Sequence, residues 1–170
     1  VTLAVETHGG TLAYNAHAAA DLIDKTNHPA VRVLLDYYWL HVGGDEDPDD
    51  VMDFLAPLTV HVHVKDLVLT SEGPQSCLLG QGILDWPKIL CYLIRSGYTG
   101  FLSDEYEKLW RPHLPDPEQA NAHCSARQVL ESISPRRHCI SSSHPRGSSI
   151  AFIIATPTSS TETVPSKSHM

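Results

Sequence analysis

The chain has 170 residues, 42% of them hydrophobic and 19% charged, which is enough for one globular domain of ordinary size. Its net charge of −8 at pH 7 argues against nucleic acid as the main partner, because phosphate binding requires clustered Lys and Arg. Apolar runs reach only about six residues, whereas a membrane span needs roughly 20, so we expect no membrane partner. Four scattered cysteines without a CxxC pair predict reduced thiols in a cytoplasmic protein.

Strand-like and helix-like segments alternate along residues 1–132, which is typical of α/β proteins with a parallel sheet. The predicted strands are about 1–6, 31–36, 59–65 and 101–105, and the predicted helices about 14–26, 48–56, 85–97 and 117–132. A polar connection, residues 67–84, follows the third strand. Residues 134–170 are rich in Ser, Thr and Pro. They predict a mostly disordered tail or, alternatively, a segment that folds on a partner.

Each predicted strand carries an acidic or imidazole side chain at its carboxyl end, and these are Glu6, Asp36, His63 and Glu105. Such groups are seldom found in apolar strands, because burying an unpaired charge is costly. The carboxyl ends of parallel strands lie together, and the spacings of 30, 27 and 42 residues fit one βα unit for each side chain. We therefore predict one shared divalent ion. The donor set suits Mn²⁺, Mg²⁺ or Co²⁺, and Zn²⁺ also fits.

Several side chains near these strand ends have two interpretations each. His8 either binds a substrate hydroxyl or is an ordinary loop histidine. Tyr38 and Trp39 either stack on a sugar ring or cap the rim of a barrel. Lys65 either contacts a substrate oxyanion or pairs with Asp66 at the surface. The residue types alone leave these alternatives open.

Other polar residues of the same region are given lesser roles. Glu105 and Glu107 compete for one position, and Glu105 is preferred because it is nearer the strand. His61 lies deeper in its strand and is predicted to pack or to support the site from behind. His41 is left out of the ligand set. Gly80-Gln81-Gly82 marks either a turn or, as in some barrels, a phosphate seat.

Longer segments carry a family resemblance, and they are Leu35-Asp36-Tyr37-Tyr38-Trp39, His61-Val62-His63-Val64-Lys65-Asp66, Leu79-Gly80-Gln81-Gly82 and Ser103-Asp104-Glu105-Tyr106-Glu107. They resemble the sugar phosphate isomerase/epimerase family with a xylose isomerase-like TIM barrel. The resemblance covers about residues 1–132 and corresponds to strands five to eight, the second half of the barrel. We therefore expect a (β/α)8-type domain at 1–133, with about four βα units present, and a tail at 134–170. Either the N-terminal half is missing from this sequence or two copies associate.

The resemblance implies that Glu6, Asp36, His63 and Glu105 hold one divalent ion, the same set that the strand ends propose. It further implies that Glu6 and Glu105 are catalytic and exchange a proton on the two faces of the substrate. The implied reaction is isomerisation or epimerisation of a sugar, sugar phosphate or polyol through a metal-bound enediolate.

His8, Trp39 and Lys65 are predicted to bind this carbohydrate substrate. The family commonly places His three residues after the aspartate ligand, where this chain has Trp39. Two alternatives stand beside the isomerase or epimerase: a dehydratase of the same superfamily, and a non-catalytic truncated half-barrel.

Overall fold

A computed structural model describes residues 1–44, 46–123 and 151–154 of the chain. The strands are β1 (Leu3–Glu6), β2 (Val31–Asp36), β3 (Thr59–Val64), β4 (Asp66–Thr70), β5 (Gly73–Cys77), β6 (Phe101–Asp104) and β7 (Ala151–Ile154). The helices are α1 (Ala16–Thr26), α2 (Tyr37–Gly44), α3 (Pro48–Leu55), α4 (Trp86–Arg95) and α5 (Pro117–His123), with a 3-10 turn at Ala56–Leu58. The predicted alternation of strands and helices is confirmed.

The main sheet of the described residues has the strand order β1-β2-β3-β6-β7, and every neighbouring pair is parallel. Its register places Glu6 beside Leu34 and Asp36 beside His63. Parallel neighbours in register share a face, so the predicted ligands project from one side of the sheet at one end. The half-barrel expectation agrees with this mixed α/β architecture.

Helices cover the opposite face of the sheet. Val33, Leu35 and Val62 are fully buried beneath them, as the aliphatic side of each predicted strand requires. The helices begin where the sequence places caps: the side chain of Asn15 accepts a hydrogen bond from Ala18 N, and that of Asp47 accepts one from Asp49 N. No helix in the described ranges is long and apolar enough to cross a membrane.

Two elements depart from the sequence prediction. The helix α2 directly follows β2, although Gly43 and Gly44 lower its intrinsic helix propensity, and it is held by burial of Tyr37 and Leu40. The connection 67–84 contains an antiparallel hairpin, β4 and β5, closed by Ser71 and Glu72. The strand β5 contains Gly73, Pro74, Gln75 and Ser76, which lack the apolar alternation that signals a strand.

The predictions for the C-terminal tail and for the cysteines also differ from the structure. Residues 151–154 form β7 beside β6, although the sequence placed them in a disordered tail, and the rest of 134–170 lies outside the described residues. Cys77 is a free thiol, but Cys91 on α4 is disulfide-bonded, so the expectation of four reduced cysteines is wrong. The cytoplasmic location was predicted from reduced cysteines, and disulfides are rare in cytosolic proteins. The location therefore stays an untested prediction.

Asp66 follows the predicted strand 59–65. Its side chain holds the loop that leads to α4 in place. Its buried carboxylate accepts hydrogen bonds from the backbone amides of Leu67, Gly80, Gly82 and Leu84, at 2.9 to 3.2 Å. Burial raises the pKa of Asp66, and the four amides oppose this rise. The amides of Gly80 and Gly82 already donate to the Asp66 carboxylate, whereas a phosphate-binding loop would need them free. This loop therefore has a structural role, and we call it, together with Asp66, the loop clamp.

Replacing Gly82 by Ala should destabilise the fold. An added Cβ would lie 2.0 Å from Asp66 Oδ1, so the clamp must open, and we expect a loss of about 1–3 kcal/mol in the free energy of unfolding. The control is Gly44→Ala, whose Cβ meets only Glu46 side-chain atoms at 3.4 Å or more. Urea titration followed by circular dichroism measures both variants. Equal stability of the two would contradict the clamp.

Candidate metal centre

Four side chains, at the ends of three strands and directly after a fourth, converge at the carboxyl end of the sheet. One potential ligand atom from each of Glu6, Asp36, His63 and Glu105 lies within 4.8 Å of those of the other three. His63 Nδ1 is 3.2 Å from Glu6 Oε1 and 3.1 Å from Glu105 Oε2. The structure thus brings together the set that the sequence proposed, and a separation of this size allows one ion to contact all four. Their role as ligands stays a prediction.

Asp36 is the most deeply placed member of the cluster. The residue is 0% exposed, and within the described part of the chain its Oδ1 has no hydrogen-bond partner. Burial raises the pKa of Asp36 to about 7, and this rise exceeds the lowering by the nearby Lys65 ammonium. A buried carboxylate oxygen without a donor needs either a proton or a cation.

Glu105 and His63 form a charge-assisted pair. The hydrogen bond from His63 lowers the pKa of Glu105 to about 2, despite its partial burial. Burial lowers the pKa of His63, but the hydrogen bond to Glu105 and the charges of the three carboxylates outweigh it and raise that pKa. Glu105 is therefore ionised at neutral pH and available as an oxygen donor, whereas His63 must lose its proton before it can bind a metal.

Lys65 points into this cluster. Its Nζ lies 2.7 Å from Glu105 Oε2 and 2.8 Å from Asp36 Oδ2, and the residue is 6% exposed. The alternative that Lys65 pairs with Asp66 at the surface is therefore wrong, because Asp66 is buried in the loop clamp. Burial lowers the pKa of Lys65, yet the Asp36 and Glu105 carboxylates raise it above its ordinary value. The ammonium thus neutralises part of the negative charge that the carboxylates share.

Glu107 lies at the margin of the cluster. Its Oε2 is 3.9 Å from Lys65 Nζ and 3.8 Å from Arg111 Nε, and it is not among the four converging residues. Glu105 directly follows β6, and its backbone N–H donates to Val64 O. The expected preference for Glu105 over Glu107 agrees with this placement.

Thr7 was not identified from the sequence. It is 0% exposed; its hydroxyl accepts a hydrogen bond from Asp36 N at 2.8 Å and donates one to Asp36 O at 3.0 Å. The side chain thus ties the end of β1 to the end of β2 and fixes the backbone from which Asp36 projects. A threonine next to a predicted ligand is the only signal that the sequence offered for it.

Supporting contacts surround the imidazole of His63. The His61 ring lies edge-on to it at 5.6 Å, and His61 Nε2 is 2.9 Å from Ser103 Oγ. Burial lowers the pKa of His61, and the charge of His63 adds to this effect. His61 therefore contacts the cluster from one side without joining it, which is the supporting position expected from the sequence.

His8 and Trp39 form an aromatic wall beside the cluster. Their ring centroids are 4.1 Å apart, and Lys65 Nζ lies 5.3 Å from the Trp39 ring. The buried indole Nε1 of Trp39 has no hydrogen-bond partner among the described residues. Tyr38 is also buried, with its hydroxyl 3.3 Å from Ser76 Oγ. This wall places an aromatic surface beside the cluster, with the indole N–H buried behind it.

The donor set fits a divalent cation. It combines three carboxylates and one imidazole, which are ligands that Mn²⁺, Mg²⁺, Co²⁺ and Zn²⁺ accept. The unpartnered Oδ1 of buried Asp36 is an independent observation in favour of a cation. The four residues could therefore hold one ion, whose identity the ligands do not decide.

The parallel βα units and the polar cluster at their carboxyl ends define a (β/α)-barrel type of protein. A sequence model described as "Xylose isomerase-like TIM barrel" matches residues 1–132. The chain belongs to this family, as the sequence resemblance indicated.

The chain spans about half the length of the proteins that it resembles. It is 24% identical over 150 residues to the uncharacterized protein YihM of Escherichia coli K12, with 82% of this chain and 45% of YihM covered. It superposes on an L-ribulose 3-epimerase with a TM-score of 0.64 and 20% identity, covering 85% and 52% of the two chains. An IolI protein with a bound zinc atom gives a TM-score of 0.53 and 19% identity, covering 79% and 47%. These likenesses show the fold.

Removing one carboxylate charge should weaken metal binding selectively. We expect Glu105→Gln to lower Mn²⁺ affinity by about 100-fold or more, because it removes both a ligand charge and the partner of His63. The matched control is Glu107→Gln, two residues along the same segment but outside the cluster, which should bind Mn²⁺ nearly as the unaltered chain does. Isothermal titration calorimetry measures the three affinities. Equal losses in the two variants would contradict the proposed ligand set.

Metal affinity should also rise with pH through neutrality. Asp36, with a pKa of about 7, and His63, with a raised pKa, both carry protons at pH 6 that a metal must displace. We expect Mn²⁺ affinity to increase by about tenfold per pH unit for each displaced proton below these pKa values, and to level off above them. Calorimetry in buffers with different ionisation enthalpies counts the protons released. An affinity that stays constant from about pH 6 to 8 would contradict this assignment.

Proposed function

We propose that this chain carries the metal- and proton-handling half of a divalent-metal-dependent isomerase or epimerase acting on a sugar, sugar phosphate or polyol. The observation that carries the proposal is the convergence of Glu6, Asp36, His63 and Glu105, with a lysine ammonium in contact with two of them. The similar fold of an L-ribulose 3-epimerase supports the reaction class.

Glu6, Asp36, His63 and Glu105 would hold the ion. When bound, a divalent cation supplies Lewis-acid stabilisation of negative charge that develops on neighbouring carbonyl and hydroxyl oxygens of a sugar. Mn²⁺, Mg²⁺ or Co²⁺ is favoured by the three carboxylates, while the zinc-bound IolI structure keeps Zn²⁺ in consideration.

Glu6 and Glu105 would exchange a proton with the substrate. Glu6 at the end of β1 and Glu105 directly after β6 both lie close to His63 Nδ1, at 3.2 and 3.1 Å. One would remove the proton from the carbon beside the carbonyl, and the other would return a proton to the neighbouring carbon or to the opposite face. Such positioned acid–base catalysis contributes roughly 10²–10⁴-fold to a rate.

Lys65, Trp39 and His8 would hold the sugar. Asp36 and Glu105 account for two of the three donor directions of the Lys65 ammonium, which leaves one for an anionic or hydroxyl oxygen of the substrate. The flat face of Trp39 suits the apolar face of a sugar. The same proton abstraction followed by loss of water would make the protein a dehydratase.

Proton exchange with solvent tests the function directly. The chain is incubated with Mn²⁺ in deuterium oxide and a panel of ketoses, ketose phosphates and keto-inositols. Proton NMR follows the signal of the proton on the carbon beside the carbonyl. We expect that signal to disappear with the unaltered chain, and Glu105→Gln at saturating Mn²⁺ to slow its loss by about 10²-fold or more. Glu107→Gln is the matched control and should exchange at the normal rate.

Each outcome of that experiment has one meaning. Undiminished exchange in Glu105→Gln would remove Glu105 from the mechanism. A new alkene signal in place of deuterium incorporation would favour the dehydratase. Absence of exchange with every compound, in a chain that binds Mn²⁺, would favour a non-catalytic half-barrel, since the matched relatives are about twice as long.

A further inference from the structure

Thr7 lies between two of the proposed metal ligands. It directly follows Glu6, the last residue of β1, and its hydroxyl makes two hydrogen bonds to the backbone of Asp36. The hydroxyl accepts from Asp36 N at 2.8 Å and donates to Asp36 O at 3.0 Å. One buried side chain thus joins the backbone next to a ligand of β1 to the backbone of a ligand of β2.

This hydroxyl continues the pairing of β1 with β2 at the point where the backbone of β1 turns away. Thr7 N still donates to Leu34 O at 3.0 Å, but His8 N donates to Ala13 O instead. Asp36 is 0% exposed, and an apolar side chain at position 7 would remove the acceptor of its N–H. A buried N–H without an acceptor is costly, so the backbone of Asp36 would have to move.

Movement of this backbone would change the positions of two carboxylates relative to each other. The ligand atoms of Glu6 and Asp36 lie within 4.8 Å of one another, and like charges at such a distance repel. Asp36 Oδ1 has no hydrogen-bond partner among the described residues, so no such contact holds this oxygen in place. The two hydrogen bonds of Thr7 therefore hold the pair of carboxylates together from the backbone.

We propose that Thr7 is a positioning residue, which makes the Glu6 and Asp36 pair rigid and so favours a small divalent ion over Ca²⁺. The inference rests on the metal site of the proposed function. Mg²⁺ requires near-ideal octahedral geometry at about 2.1 Å, whereas Ca²⁺ accepts flexible sites with ligands at about 2.3–2.6 Å. Mn²⁺ is likewise smaller than Ca²⁺. A site whose carboxylates can move apart therefore loses more affinity for Mn²⁺ than for Ca²⁺.

Removal of the hydroxyl tests this proposal in the full chain. Thr7→Val keeps the shape of the side chain but removes both hydrogen bonds, whereas Thr7→Ser keeps the hydroxyl. The matched control is Thr59→Val, because Thr59 is also buried and its hydroxyl donates to Leu55 O at 3.0 Å. Thr59 begins β3, at the end of the sheet opposite the cluster. Isothermal titration calorimetry measures Mn²⁺ affinity directly and Ca²⁺ affinity by displacement of Mn²⁺.

The ratio of the two affinities separates positioning from stability. We expect Thr7→Val to lower Mn²⁺ affinity by about tenfold or more, and the ratio of Mn²⁺ to Ca²⁺ affinity by about threefold or more. Thr7→Ser and Thr59→Val should keep the ratio of the unaltered chain, because a lost hydrogen bond that only destabilises the fold weakens both ions equally. Urea titration without metal checks that each variant is folded. If Thr7→Val does not fold, Thr7→Cys replaces it, since a thiol is a weak donor and acceptor, and the ratio should fall in the same direction.

The outcomes distinguish the role of Thr7 from the metal site itself. If the unaltered chain does not bind Mn²⁺, the proposed metal site is wrong and the role of Thr7 is wrong with it. If the unaltered chain binds Mn²⁺ but the folded Thr7 variant keeps the same ratio, only the role of Thr7 is wrong. That role is also contradicted if Thr59→Val lowers the ratio equally, or if Thr7→Ser fails to restore it.

Discussion

The structure depends on how three carboxylates can share one small volume at the end of a parallel sheet. Asp36 is fully buried, and Glu6 and Glu105 face the same imidazole, so their mutual repulsion must be offset. In the described protein the Lys65 ammonium and the His63 ring supply that offset. Positive charge between the ends of β1, β2 and β6 thus stabilises their close approach.

The positions of the four cluster residues could be predicted because a parallel sheet has a simple geometry. Side chains alternate along a strand and neighbouring strands run the same way, so a polar residue at each carboxyl end reaches one edge. The bounds of β2, Val31–Asp36, agree with the predicted 31–36 for the same reason. The residue type at the end of each strand is local information, so it can be read directly from the sequence.

Other features could not be read from the sequence because they depend on tertiary contacts. The direction of Lys65 is decided by Asp36 and Glu105, which are 29 and 40 residues away in the chain. The role of Thr7 depends on its two hydrogen bonds to the backbone of Asp36. The hairpin of β4 and β5 was missed because β5 begins with Gly73 and Pro74, which are depleted in strands, and β7 was missed because its partner strand is distant in sequence.

The end of β3 constrains how this chain can change in length over evolution. Lys65 enters the charged cluster, whereas its neighbour Asp66 turns to the opposite side and grips the loop of Gly80 and Gly82. Insertion or deletion of one residue between His63 and Lys65 would exchange these two directions and lose both contacts together. The exposed hairpin tip at Ser71 and Glu72 has no such coupling, so length variation among homologues should concentrate there.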